Sequence, residues 1–263
     1  MGGARAAAGR VSVSPVVWRW GGVDASEDGE HLCLMHRQAD ARVFVRGGRL
    51  VSGSGYENAA PKARRELARV GAIVRLRQRG RYFVHAAGAV DPQGRAWLLA
   101  GDSGSGKSTL AYSLSRSGWT ILGDDGVLIE LAGSEVRACA WHAPLEVSST
   151  LASAFPELRA HVARARPNDP RRRVSMNVPL ASRARVVALV FVERAECHAI
   201  TTLGPLAALG ALVRQSPWVI IDDAYACPHL DALRRAAALP SFRLEHTPAE
   251  LHTVARILME ALP

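Results

Sequence analysis

The sequence predicts an α/β fold, a mixed sheet with flanking helices, preceded by a small β-rich module. Three observations carry this. From Tyr82 onward, short apolar runs fit for strands alternate with stretches of helical periodicity. Residues 11–75 instead alternate apolar and polar positions and are punctuated by Gly pairs and proline. Between the two kinds of pattern in the catalytic half stands Gly101-Asp102-Ser103-Gly104-Ser105-Gly106-Lys107-Ser108-Thr109. It matches G-x-x-x-x-G-K-[ST], the phosphate-binding P-loop. The apolar run Ala96–Ala100 precedes it, and Leu110, Ala111 and Leu114 share one helical face behind it, with Gly118 placed to end that helix. A loop at a strand end and a helix N-terminus offers backbone N–H groups and the helix dipole to an anion. Lys107 would reach the β- and γ-phosphates and the Ser108 hydroxyl would hold Mg²⁺. A glycine-rich turn that binds nothing is the alternative.

In the N-terminal module, placed at residues 1–75, Val11–Trp20 reads as an edge strand because it contains Pro15. Ala41–Val45 and Leu50-Val51 read as a hairpin turned at Gly47-Gly48. Ala60–Ala72 reads as a helix with Pro61 in its first turn. The second domain is placed at residues 76–263. Tyr82–Val90 is a strand, Asp91-Pro92-Gln93-Gly94 a turn into the P-loop strand, and Trp119–Leu122 a short strand ending in Gly123-Asp124-Asp125. Val127–Leu131 and Val136–Ala140 form a hairpin. A helix is expected near Ser148–Arg164, then a break at Pro167-Asn168-Asp169-Pro170 and a loop carrying Arg171, Arg172 and Arg173. Val186–Val192 is the most apolar strand. Helices follow at Pro205–Arg214 and within Ala224–Ala238, then the strand Phe242–Leu244. Thr247-Pro248-Ala249-Glu250 is a capping box ahead of the stripe Leu251, Val254, Ala255, Leu258 and Leu262.

The 263 residues are 48% hydrophobic, enough for a sizeable core. No apolar run approaches the ~20 residues of a membrane helix, and the first residues lack a signal-peptide centre and a myristoylation pattern. A cytoplasmic protein with no membrane partner is expected. Cys33, Cys139, Cys197 and Cys227 are scattered, which argues against a structural zinc site and suits a reducing compartment. Cys197-His198 and Cys227-Pro228-His229 are read as ordinary thiols and histidines. The formal charge is +9, with Lys62 and Lys107 the only lysines. Basic residues gather in Lys62–Arg81 and in Glu157–Arg185, as a solvated surface or as a site for an anionic peptide. Sparse aromatics, 6%, and no aromatic–basic interleaving argue against nucleic acid. The oligomeric state, a homo-oligomer included, is left open.

Mg·ATP chemistry needs a carboxylate beside the P-loop. Two pairs qualify: Asp124-Asp125, and Asp222-Asp223 after Trp218–Ile221, which reads as a Walker B strand. An ABC-type ATPase is disfavoured because no Leu-Ser-Gly-Gly-Gln-like signature is present.

His85-Ala86-Ala87-Gly88, then Leu99–Ser108, then Gly123-Asp124-Asp125 together resemble the HPr kinase/phosphorylase family, over roughly residues 82–130. The family's long glycine-rich signature is absent; Leu145-Glu146-Val147 is similar only to its start. Beyond that, Arg172-Arg173-Val174 and the C-terminal part look like the smaller HPr-kinase-like proteins of lasso-peptide tailoring. The resemblance implies a P-loop fold of the HPr-kinase type and an ATP- and Mg²⁺-dependent kinase acting on a Ser hydroxyl of a peptide or protein, a lasso-peptide precursor included. It implies Asp124 as general base, Asp125 and Ser108 as Mg²⁺ ligands with Glu146 as a third, and His85 near the phosphates. Arg171–Arg173 would contact the γ-phosphate or an acidic substrate. Two other readings stand beside it: an ATPase using Asp222-Asp223 as Walker B, and a nucleotide-binding regulatory module. Transfer of a nucleotidyl rather than a phosphoryl group also stays open.

Overall fold

The computed structural model describes residues 15–28, 30–141, 147, 149–160 and 178–262. The chain forms two compact units. One comprises residues up to Arg79 together with Ile220–Asp223; the other comprises Gly80–Val219 and Ala224 onward.

The first unit is an antiparallel meander of β1 (Val16–Trp20), β2 (Val23–Asp28), β3 (His31–His36), β4 (Ala41–Arg46) and β5 (Arg49–Ser54), in that spatial order, with α1 (Pro61–Arg77) behind it. Burial alternates along β3 and β4, the period-2 pattern of a sheet covered on one face. Leu32, Leu34, Val43 and Val45 meet Leu67, Val70, Ile73 and Val74 of the helix in this core. Gly47 and Gly48 turn the β4–β5 hairpin with φ of 53° and 71°, the left-handed values a tight two-residue turn needs. The helix runs past Ala72 to Arg77 because Val74 and Arg77 are themselves buried. Its basic run is therefore not wholly solvated: Arg69 lies 5.4 Å over the Trp20 ring, and Arg77 is fully buried.

The second unit continues with β6 (Arg81–Val84), β7 (Ala86–Val90), β8 (Arg95–Ala100), α2 (Lys107–Arg116), β9 (Thr120–Gly123), β10 (Val127–Ala132) and β11 (Glu135–Ala140). After these come α3 (Ser149–Ala154), β12 (Arg183–Arg194), β13 (Ala199–Thr202), α4 (Pro205–Arg214), α5 (Ala226–Ala237), β14 (Ser241–His246) and α6 (Val254–Ala261). The sheet runs β6-β10-β11-β12-β8-β7-β9, with β14 also on β12 and β13 on β14. The strand expected over Tyr82–Val90 is in fact two. It bends at His85, and its halves pair with β10 and with β8, so the sheet curls until its distant members are joined by one residue.

Strands β8, β12 and β14 are mutually parallel and covered on both faces. Trp97 and Leu99 point to a core shared with Leu110, Leu114, Leu151, Val254 and Leu258. Ala96, Leu98 and Ala100 point to the other, with Leu212, Ala232 and Leu233. That is why Ala96–Ala100 reads as an unbroken apolar run.

Two local expectations change. The helix near Ser148 is helical only to Ala154 before Pro156, which lacks an N–H, opens a 3₁₀ turn at Pro156–Leu158. The capping-box segment Pro248–Thr253 is 3₁₀, with α-helix only from Val254, although Thr247 Oγ1 and Glu250 Oε2 do meet at 3.2 Å. Among the described residues no helix is long and apolar enough to cross a membrane.

Candidate active site

The P-loop leaves the end of β8 and feeds α2. Its backbone is closed by Ser105 N–H donating to Asp102 O at 3.1 Å. Lys107, nearly buried, donates from Nζ to the carbonyls of Gly101 at 2.7 Å and Asp102 at 2.9 Å, so the ammonium is gripped by the loop it belongs to. Burial pulls the lysine below its ordinary pKa; Asp125, Asp124 and Asp102 pull the other way, which puts all three carboxylates within electrostatic reach of Nζ.

Topology brings those carboxylates there. β7 is antiparallel to β8, with Ala86 opposite Ala100, so His85 enters the sheet beside the P-loop. β9 is also antiparallel to β7, so β8 and β9 run the same way and end at one edge. Asp124-Asp125 thus follows a strand two places from the P-loop strand, with β7 between, rather than its direct neighbour. Asp124 is buried, whereas the Asp125 side chain is 44% exposed.

His85 connects the two sides. Its Nε2 lies 3.4 Å from Asp125 Oδ1, an ion pair when the ring carries both protons. Its Nδ1 lies 3.1 Å from Gln215 Oε1, and its backbone N–H donates to Gln215 O at 2.8 Å. The Gln215 amide nitrogen donates to Asp102 Oδ1 at 3.2 Å. A carboxylate only accepts, so this bond fixes the amide with Oε1 toward His85 and makes Nδ1 the donor. The chain Asp102–Gln215–His85–Asp125 therefore ties the P-loop to the acidic pair.

A second histidine supports the loop from the other side. His246, at the end of β14 and almost fully buried, meets Ser105 O at 3.0 Å through Nε2, which must carry the proton because a carbonyl only accepts. Burial pushes its pKa below the ordinary value, against hydrogen bonds that raise it. Gly106, at φ 105°, lies against this ring: a Cβ there would be 2.4 Å from His246 Nε2. The glycine is required both by its left-handed backbone and by the imidazole.

Gln215 and His246 carry no motif. Gln215 is one residue past a helix end and His246 closes a strand more than a hundred residues from the loop, so only the tertiary pairing of β12 with β14 and the docking of α4 reveal them.

The expected Walker B pair is corrected. Pro217–Ile220 is a 3₁₀ turn, not a strand, and Asp223 opens another. Asp222 is instead a structural residue of the first unit: Arg77 Nη2 donates to its carbonyl at 2.8 Å, Arg77 Nη1 lies 3.4 Å from Oδ2, and Gln78 Nε2 donates to Oδ2 at 3.3 Å. Pro217 lacks the N–H a strand interior needs, and the buried Trp218 and Val219 account for the apolar run. Of the other expected site residues, Glu146 and Arg171–Arg173 lie outside the described residues. His229 is a packed histidine, stacked on Tyr82 at 4.6 Å and bonded to Ser216 Oγ at 3.0 Å.

Ser108, partly exposed in the first turn of α2, and Asp125 offer a hydroxyl and a carboxylate, hard oxygen donors that suit Mg²⁺. Mg²⁺ shared with phosphates needs no more than one or two protein oxygens, so the donor set fits. Among the described residues no three metal-ligating side chains are grouped.

No protein-family model and no curated protein matches the chain. Among solved structures it is similar to the HPr(Ser) kinase/phosphatase from Coxiella burnetii, at 12% identity and a TM-score of 0.34 over 68% of this chain and 98% of that one. A likeness of that degree carries no functional argument; what the site can do rests on its own side chains.

Proposed function

We propose that the chain is an ATP-dependent kinase that moves the γ-phosphate to a Ser hydroxyl of a peptide or protein. One observation carries the reading: a buried carboxylate, Asp124, and a half-exposed one, Asp125, lie within electrostatic reach of the P-loop lysine at the sheet edge where the P-loop ends.

The phosphates of ATP would lie against the N–H groups at the start of α2, with Lys107 leaving the loop carbonyls to face the β- and γ-oxygens. Bound Mg²⁺, held by Ser108 and Asp125, would neutralise charge developing on the phosphates. His85 holds Asp125, and Gln215 holds His85, so the metal-side carboxylate is kept in place. Asp124 accepts the proton of the serine hydroxyl as its oxygen bonds to phosphorus and the bond to the β-phosphate oxygen breaks; ADP leaves and Asp124 later returns the proton to water. The ATPase reading loses its Walker B, since Asp222 is engaged by Arg77.

Incubation with Mg·ATP and serine peptides, followed by mass spectrometry, tests this. Asp125→Asn should abolish phosphate gain and weaken Mg·ATP binding, while Asp223→Asn, at an exposed position, should leave transfer within about twofold of wild type. Free phosphate without phosphopeptide would support an ATPase, and loss of turnover only in Asp223→Asn would restore the Walker B assignment.

A further inference from the structure

A cleft of about 640 Å³ opens beside the P-loop, walled by Gly101–Ser103 and Ser105, by the end of β12, by Arg243 of β14 and by α4. Its size is in the range that takes ligands, ~300–1,000 Å³. It is open because α4 turns a face of small residues to it: Ala207, Gly210 and Ala211 line it, and a Cβ on Gly210 would meet nothing nearer than Arg214 Nη1 at 4.0 Å.

The cleft is strongly basic. Arg194, Arg214 and Arg243 all line it. Arg243 is matched by Glu193 at 3.5 Å, and Asp102 is engaged by Gln215. The guanidinium groups of Arg194 and Arg214 have no hydrogen-bond or ion-pair partner among the described residues. Two arginines facing a concave, partly apolar cleft are suited to carboxylates, which they can grip with paired N–H donors. The positive field also reaches the loop: Arg194 is among the charges that lower the pKa of His246.

Position indicates whose carboxylates these are. Gln215 lines the cleft and also bonds His85, which faces Asp125. A ligand in the cleft therefore lies next to the network that holds the reactive carboxylates.

We infer that this cleft binds an acidic peptide segment flanking the acceptor serine, gripped by Arg194 and Arg214. The inference rests on the kinase reading for the word acceptor, and on the cleft alone for the binding of an acidic peptide.

Fluorescence anisotropy on the full chain, saturated with a non-hydrolysable ATP analogue so that the P-loop is filled, tests it. The probe is a labelled pentapeptide of one serine flanked by glutamates; its counterpart has glutamines. Wild type should bind the glutamate peptide at least ~10-fold tighter than the glutamine one, with affinity falling as salt rises. Arg194→Gln/Arg214→Gln should erase that preference. Gly210→Leu, which fills the cleft without touching a charge and suits a helix better than glycine, should weaken the glutamate peptide by a similar factor. Nucleotide affinity is titrated in parallel. Equal binding of the two peptides by wild type, unchanged binding by the double variant, or loss of nucleotide affinity in the double variant would each overturn the inference, the last by giving the arginines to the nucleotide. Phosphate on the serine is read by mass spectrometry in the same samples. Binding without transfer would leave the cleft as a peptide site and count against the kinase reading alone.

Discussion

The residue that most constrains the P-loop after its own glycines is His246. Its Nε2 proton is held by Ser105 O and its ring fills the space a Gly106 side chain would take. Because burial lowers its folded pKa below 6.5, the folded unit disfavours the proton that the unfolded chain accepts. The sign follows: this histidine's contribution is complete above pH 6.5 and is lost as pH falls toward its lowered folded value. Thermal unfolding across that window should show the wild-type Tm dropping with acid, and His246→Gln, which keeps a donor but does not titrate, should drop less steeply. Equal slopes would show that His246 does not carry the effect. The same residue marks the limit of what the sequence discloses. Lys107, Ser108, Asp124, Asp125 and His85 are legible because a local motif and short spacings announce them. His246 and Gln215 act through single hydrogen bonds to partners more than a hundred residues away, and nothing local distinguishes them from any other polar residue at an element's end.

At the scale of elements, the β7–β8 hairpin aims the P-loop, and Asp91 fastens it. This buried carboxylate accepts from Gln93 N at 3.0 Å, Arg95 N at 2.9 Å, Arg95 Nε at 2.8 Å and Trp97 Nε1 at 3.0 Å. Asp91→Ala would strand the buried indole N–H, which costs ~1–3 kcal/mol by itself, and would remove charge-assisted bonds besides. Urea unfolding should therefore show a loss of at least ~2 kcal/mol; a loss under about 0.5 kcal/mol would mean the turn holds without its carboxylate. The turn was legible from Asp91-Pro92-Gln93-Gly94, since turn chemistry is local. The bend at His85 was not. Tyr82–Val90 is apolar throughout, and only the change of pairing partner, β10 before the bend and β8 after it, divides it. Trp218–Ile221 misled for a related reason: a short apolar run states that residues are buried, not which backbone they adopt.

At the scale of the whole molecule, the chain carries a formal charge of +9, yet its P-loop is attended by Asp102, Asp124 and Asp125. Concentrating acids at one sheet edge of a basic protein stabilises neither unit by itself; it suits a site that manages a metal ion and a proton beside phosphate. The curled sheet is what assembles it, by ending β8 and β9 at the same edge and starting β7 there. The central claim is that Asp124 takes the proton of the acceptor hydroxyl. The measurement that bears on it most directly compares Asp124→Asn with wild type in two assays, titration of Mg·ATP binding and single-turnover phosphate transfer to a serine peptide. Asparagine keeps the shape and cannot accept the proton, so binding should stay within about threefold while transfer falls at least ~100-fold. Wild-type transfer by Asp124→Asn, or nucleotide binding lost along with it, would contradict the assignment.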